Sequence, residues 1–331
     1  MQLTQKKSRR GDLLTAAAVA MLLAVMAALL YTGSLTRQVT NMLIPTAVYI
    51  VMAVSLNLVV GLLGELSLGH AGFMSVGLFS GCLVAIALAN TALPLMVRLP
   101  VSMLAGGLTA AVFGLLVGLP TLRLRGDYLA IVTLACGEII KNIITNLRVT
   151  GGALGLNTTA IYAGAKELLP YSAALVLLTV AVMLNLKRSK YGRAIMAIRD
   201  NRIAAESVGL SVTRYKLAVF VIAAFFAGCA GVLYGHSLAN IKAAAFDYNM
   251  SIEILVIVVL GGMGSVPGSV VSAIVLTVLP EALREVADYR MLVYAVVLIL
   301  VMQATNNPAM KRFFGAACKS LTPKRKERAA L

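Results

Sequence analysis

Few residues in this chain carry chemistry, and those that do are set among glycines. The segment LVVGLLGELSLGHAGFMSVGLFSG holds Glu65, Ser67 and His70 in a run punctuated by Gly61, Gly64, Gly69, Gly72, Gly77 and Gly81, with Asn57 just before it. Polar groups inside a bilayer need partners or water, so Asn57, Glu65, Ser67 and His70 are candidates for a solute pathway or its gate. A second run, VVLGGMGSVPGSVVSAI, contains Gly261, Gly262 and Gly264 followed by Pro267 and Gly268. Glycine and proline loosen a helix and let backbones approach, and paired interruptions in the two halves of a chain point to a translocation site. For any single glycine plain helix packing is the stronger explanation; the clustering, with Glu65 and His70 inside the first break, moves the balance toward function. Glu138 and Lys141, at i and i+3, share a helix face and form either a structural ion pair or a contact with solute.

Other chemistry is absent. The sequence has no Gly-Lys pair, and therefore no phosphate loop; its two histidines, His70 and His236, leave no room for a helical zinc motif, and no nucleophile turn of the G-x-S-x-G type occurs. ATP binding by the phosphate-loop route is thus excluded, intramembrane hydrolysis has no motif to support it, and no cofactor or metal is implied. Cys82, Cys136 and Cys229 lie in apolar stretches and Cys318 in a basic tail, without disulfide or zinc spacing.

The elements that must hold these residues are membrane helices. Of 331 residues 60% are hydrophobic and 13% charged, at a mean hydropathy of +0.91, which excludes a cytosolic enzyme, a secreted domain and a disordered regulator. Eight uncharged stretches of at least 19 residues (13–36, 38–64, 66–97, 99–122, 168–186, 217–241, 254–280 and 291–310) are each long enough to span a bilayer. The net charge of +16 would suggest nucleic acid in a soluble protein. Here 19 of the 29 Lys and Arg fall in three clusters, at 6–10, 187–216 and from Lys311 onward, the mark of cytoplasmic segments rather than of nucleic-acid binding.

If those clusters share one side, the crossings between them are even in number. Six lie between the first two: Leu13–Tyr31, Met42–Gly64, Gly72–Ala89, Val101–Leu119, Tyr128–Leu147 and Leu168–Leu186. The fifth, carrying Glu138 and Lys141, faces protein or water rather than lipid. After Lys216, Leu217–Tyr234 and 291–310 leave the parity odd unless the run at 254–280 divides at its glycines into Phe246–Gly262 and Ser265–Leu283. The reading is an all-α polytopic membrane protein of about ten transmembrane helices in two glycine-interrupted halves. It comprises a basic cytoplasmic tail (1–12), six helices (13–186), a cytoplasmic loop (187–216), the last helices (217–306) and a second basic tail (307–331). Tyr31, Tyr128, Tyr171, Tyr215, Tyr234 and Tyr289 sit near the predicted ends, where an amphipathic ring suits the headgroup layer. The N-terminus resembles a signal sequence, but its apolar run is longer than a signal core and reads as an uncleaved first span.

Within the loop, Ala194 to Val208 has good helix formers and ends at Gly209, a plausible cap. Arg199, Arg202 and Glu206 form one charged stripe on that helix, with Ile203, Ala204 and Val208 as a small apolar surface beside it. Such a helix either seats in a groove of a soluble subunit or lies on the lipid surface through its positive charges.

Five segments together resemble a known family. The loop, with Gly192-Arg193-Ala194, Ala197-Ile198-Arg199-Asp200-Asn201 and Ala204-Ala205 before Gly209, is similar to the coupling loop of inner-membrane permeases from branched-chain amino acid ABC importers. The M-type (LivM) permeases of that family share four more: Leu56-Asn57-Leu58 with Gly61 through Phe73; Leu122 through Leu134 with Gly137-Glu138-Ile139; Thr150-Gly151-Gly152 with Gly155; and Val259 through Ser265 with Gly268. The likeness covers roughly residues 40 to 285, in the expected order. It departs at Arg202, where such loops more often carry an acidic residue, and at Ala153-Leu154, which replace a more polar pair.

The resemblance implies the ABC importer permease fold and a bacterial inner-membrane subunit with both termini cytoplasmic. It implies four kinds of partner: a second homologous permease (LivH-like), two cytoplasmic ABC ATPases that supply the hydrolysis, a periplasmic solute-binding protein, and the lipid bilayer. It assigns Arg199, Ala204, Ala205, Glu206 and Gly209 to the ATPase contact and the pathway to leucine, isoleucine and valine. Urea, short amides or other small solutes remain open within the family, and a stand-alone secondary transporter or a membrane scaffold outside it.

Overall fold

A computed structural model describes residues 2–32, 36–89, 91, 94–121, 124, 126–282 and 299. The chain divides into two compact units, Met1–Val278 and Leu279–Leu331, and the first holds nearly all the described residues. Arg123, Arg125, Leu283, the predicted crossing at 291–310 apart from residue 299, and the tail at 307–331 lie outside them.

Eleven α-helices follow one another among the described residues: α1 (Gln2–Tyr31), α2 (Arg37–Asn57), α3 (His70–Ala89), α4 (Leu95–Thr121), α5 (Asp127–Asn146), α6 (Ala165–Arg188), α7 (Lys190–Asp200), α8 (Arg202–Ser207), α9 (Val212–His236), α10 (Tyr248–Gly261) and α11 (Val266–Ala282). A π-helical stretch, Leu58–Leu63, continues α2. Seven of these segments have the length and apolarity to cross a membrane: Arg37–Leu63, α3, α4, α5, α6, α9 and Ala243–Gly261. Ala16–Leu30 of α1 and Val266–Pro280 of α11 are shorter apolar stretches. Nine of the ten predicted crossings therefore coincide with apolar helices.

The centre of the unit is α2, where every residue from Ile50 to Leu63 is buried; a helix apolar all round belongs inside, with other helices covering it. Against it stands a seam of α3, α4 and α9 brought together by glycine. A Cβ on Gly77 would lie 2.8 Å from the carbonyl carbon of Gly228, and one on Gly228 would lie 2.6 Å from the oxygen of Gly106. At such spacing backbone meets backbone, as in small-residue membrane packing.

At the end away from the loop, Thr150 Oγ1 donates to the carbonyls of Ile144 (2.6 Å) and Leu147 (2.8 Å) and folds the chain back after α5. Leu156–Asn157 (β1) then pairs antiparallel with Asn240–Ile241 (β2). Gly155, at φ +90°, has no room for a side chain, since a Cβ would sit 2.6 Å from the Ile241 carbonyl. The turn begun by Thr150-Gly151-Gly152 thus leads into a clasp, β1 with β2, that joins the turns after α5 and α9.

The loop differs from expectation. A single helix from Ala194 to Val208 is replaced by α7 and α8, broken at Asn201 (φ −153°, ψ 104°), whose side chain accepts from Ala204 N–H at 3.1 Å. Asparagine competes for backbone hydrogen bonds and favours the N-cap over the helix interior. The break rotates α8 away from α7, and the predicted stripe of Arg199, Arg202 and Glu206 does not form.

Candidate functional site

The π-helical end of α2 and the turn between α10 and α11 meet at one place. Asn57, fully buried, spans the meeting: its Oδ1 accepts from Gly264 N–H at 2.7 Å, and its Nδ2 donates to Ser265 O at 3.2 Å and Ser269 Oγ at 2.8 Å. An amide offers four hydrogen-bonding positions, and three are used across a separation of more than 200 residues. Beside it Gly61 and Gly264 touch backbone to backbone, for a Cβ on Gly61 would lie 2.7 Å from Gly264 Cα. Gly264 (φ +81°) and Gly262 (φ +88°) turn the chain through conformations that other residues resist. Gly261 closes the turn from the other side, packed against Gly268. The two glycine-rich interruptions, far apart in sequence, are one structural junction.

Gly64 (φ +78°) ends the π segment as a left-handed cap. The next residues to α3 carry the other polar candidates. Glu65 forms an ion pair with Lys216 in the first turns of α9; the side chains are only 13% and 6% exposed, so the pair is largely desolvated. The other carboxylate oxygen, Oε2, and the hydroxyl of the buried Ser67 have no hydrogen-bond partner among the described residues. His70 begins α3 with Nε2 2.8 Å from Ser55 Oγ of α2 and its ring edge-on to Phe73. Thr133 Oγ1 of α5 accepts from Leu68 N–H at 3.1 Å. These bonds pin the 64–70 segment between α2, α5 and α9.

The loop lies over the junction. Ala205 is buried with Ile198 and Val212 in a small core of its own, while Ile203 and Val208 are 80% and 77% exposed and Ala204 is exposed beside them. Arg202 and Glu206 pair at 2.9 Å on the surface of α8. Gly209, at φ +83°, reverses the chain, its N–H donating to Glu206 O at 3.0 Å. Of the residues assigned to an outward contact, Ala204 and Glu206 are on the surface. Ala205 is inside the loop, and Arg199 turns toward the spans: Nη1 donates to Gly61 O at 3.0 Å, with Nε and Nη2 held by Asp200 Oδ1 at 3.2 and 3.1 Å. Lys187, the last lysine of α6, donates to Gly264 O at 2.9 Å.

Away from the junction, Glu138 and Lys141 form an ion pair on α5, and Glu138 Oε1 also accepts from Tyr248 N–H at 2.9 Å. A carboxylate at the first turn of α10 suits the positive end of its dipole. At the end of α2 and α9 remote from the loop, a pocket of about 240 Å³ is lined by Tyr49, Tyr234, Phe246, Asp247, Asn249 and Glu253. Tyr49 donates to Glu253 Oε2 at 3.3 Å. Asp247 caps α10 by accepting from Met250 N–H at 3.2 Å, which places this carboxylate just ahead of the first turn of α10, near the start of the apolar segment Ala243–Gly261.

Sequence reasoning singled out neither Lys187 nor Lys216, counting both only as members of a basic cluster; the one signal was that each borders a long uncharged run. Ser265, the end of one family-like segment, and Ser269 carry no signal of their own, since serine is common among small residues in such runs.

Full-length apolar spans, interrupted at paired glycines beneath an interfacial loop, define a multi-pass, all-α membrane protein. The chain belongs to the family described as branched-chain amino acid transport system / permease component, whose profile matches residues 38–302. It is similar to the high-affinity branched-chain amino acid transport system permease protein LivM of Salmonella typhimurium, 36% identical over 296 residues that cover 78% of this chain and 66% of that protein. LivM of Escherichia coli K12 is 37% identical over 290 residues, with the same coverage. A shorter match, 31% identical over 126 residues, 37% of this chain and 40% of the relative, is to the LivH permease protein of Salmonella typhimurium. The chain thus spans just under two thirds, 66%, of the LivM proteins it matches. No solved structure matches it.

Proposed function

We propose that this chain is a permease subunit of an ATP-driven importer, and that it forms half of a pathway for leucine, isoleucine and valine across a bacterial inner membrane with both termini cytoplasmic. It is not itself an enzyme. Two cytoplasmic ATPase subunits supply the energy, a LivH-like permease the other half, and a periplasmic binding protein the captured solute. The observation that carries this reading is the junction: two interrupted spans meet directly beneath a loop whose outer face, Ile203, Ala204 and Val208, is apolar and exposed. A small apolar patch between charged residues suits a groove on a soluble partner, and the junction behind it is where a displacement of the loop reaches the spans. Supporting the paired arrangement, α5 carries Glu138, Lys141, Asn142 and Asn146 beside the exposed Ile139 and Ile143, a mixture suited to protein or water rather than lipid.

ATP binding drives transport only if the ATP-loaded partner favours one permease conformation over another. The test is uptake of labelled leucine into liposomes containing this chain, its permease partner and binding protein, with and without the cognate ATPases. Uptake that requires ATP and all components is expected. Full-rate uptake without ATPases would overturn the reading, and competition by urea or short amides in place of leucine would correct the solute.

A further inference from the structure

The loop has an inner face as well as an outer one, and the inner face ends in two cations. Lys187 and Arg199 each reach a backbone carbonyl in one of the two glycine interruptions: Lys187 Nζ to Gly264 O at 2.9 Å, Arg199 Nη1 to Gly61 O at 3.0 Å. Both acceptors lie where helices end, at the final π turn of α2 and in the turn after α10. The Gly61 carbonyl is at the C-terminal end of its helix, where a cation is favoured by the helix dipole as well as by the hydrogen bond; the Gly264 carbonyl lies between α10 and α11, just ahead of Val266, and there the hydrogen bond alone holds Lys187. Asn57 ties the same two segments to each other. The Arg199 stem also lies on Gly64, where a Cβ would come within 2.5 Å of Arg199 Cγ; glycine at 64 thus leaves room for the arginine to pass. Asp200 holds the guanidinium from outside, so its direction is fixed rather than left to a free side chain.

We infer that Lys187 and Arg199 are the positioning residues through which loop movement reaches the spans. Each tethers the loop to one interruption, so a displacement of α6 and α7 pulls on both breaks together, while the exposed patch of α8 does the docking. The inference rests on the permease reading above and divides the loop into two jobs: α8 binds, and the cations of α6 and α7 transmit.

The test uses the complete complex in liposomes with Arg199→Met, Lys187→Met and the double variant, measuring retention of the ATPase subunits on purification and leucine transported per ATP hydrolysed. Expected is wild-type retention with a coupling ratio reduced about tenfold or more in the double variant, within the usual range of coupling energies, and partial recovery in Arg199→Lys. Loss of ATPase retention would make Arg199 a docking contact and overturn the inference while leaving the permease reading intact. An unchanged coupling ratio would overturn it as well. If the wild-type complex itself shows no ATP-dependent uptake, the permease reading fails first. Should the variants not fold, hydrogen exchange on the wild-type complex decides: with ATP and vanadate, segments 57–64 and 261–268 should change protection together with 187–200, and a change confined to the loop refutes the tether.

Discussion

The α3–α4–α9 seam and the junction at Gly61 and Gly264 are both built on glycine and behave as opposites. In the seam Gly77, Gly106 and Gly228 are ordinary helical residues, and their missing side chains let three helices touch along their backbones. No charged side chain bridges those contacts among the described residues. At the junction Gly64, Gly262 and Gly264 take positive φ and end helices instead of packing them, exposing carbonyls and amides that side chains from elsewhere must satisfy. Asn57, Lys187 and Arg199 do so. The junction has close backbone contacts as well, Gly61 on Gly264 and Gly261 on Gly268, but there they are joined by hydrogen bonds from the long side chains of Lys187 and Arg199, which are exchanged for water at small net cost. The same residue type therefore packs helix against helix in one place and ends helices in the other.

The sharpest way to break that contrast is to add bulk to the seam. Gly77→Val would drive a branched side chain into the backbone of Gly228, where no flexible side chain can yield. The cost should exceed the ~1–3 kcal/mol typical of an overpacked core, and the expected result is loss of monodisperse protein in detergent. A variant that melts within a few degrees of the wild type would mean that the seam is not packed backbone against backbone.

How much of this was readable in advance follows from the range of the interactions. The spans were legible because crossing lipid demands about twenty apolar residues in a row, a local signal, and the interruptions because glycine clusters are local too. That Gly61 and Gly264 belong to one junction was legible only as a pairing of two breaks, since their contact spans about two hundred residues. The direction of Arg199 was missed for a nearer reason. Asp200-Asn201 is a helix-stopping pair, and reading 194–208 as one helix put Arg199 on the wrong face. The Lys216–Glu65 pair had no local signature, because nothing in a basic cluster says which member turns inward. The Thr150-Gly151-Gly152 motif was visible as sequence, but not the clasp that follows it, since the strand that β1 pairs with lies beyond the loop.

The Lys216–Glu65 pair sharpens the comparison at an intermediate scale, for it is the junction's one largely desolvated ion pair among the described residues. Lys216→Met leaves a buried carboxylate with no cation, at a cost of about 3–5 kcal/mol. The double variant Glu65→Gln with Lys216→Met should recover most of the lost thermal stability, because removing both charges removes the orphan. If the single variant melts like the wild type, water already reaches Glu65 and the segment from Gly64 to Gly69 is not sealed between α2 and α9.

The smallest effect on stability is expected on α8. The Arg202–Glu206 pair is 31% and 49% exposed, and such pairs contribute about 0–1 kcal/mol. Ile203, 80% exposed, belongs to the class of surface positions whose substitution changes stability by no more than about 0.5 kcal/mol. Ile203→Asp should therefore leave the melting temperature of the isolated chain unchanged while ATPase subunits no longer remain bound through purification, because a carboxylate in the centre of an apolar patch costs desolvation only when the patch is covered. This is the reverse of what Arg199→Met should do, where the subunits stay and the coupling ratio falls. If Ile203→Asp retains its ATPases, the outer face of the loop is not the docking surface. The division between a binding helix and a transmitting pair of cations would then have to be redrawn with both tasks on the inner face.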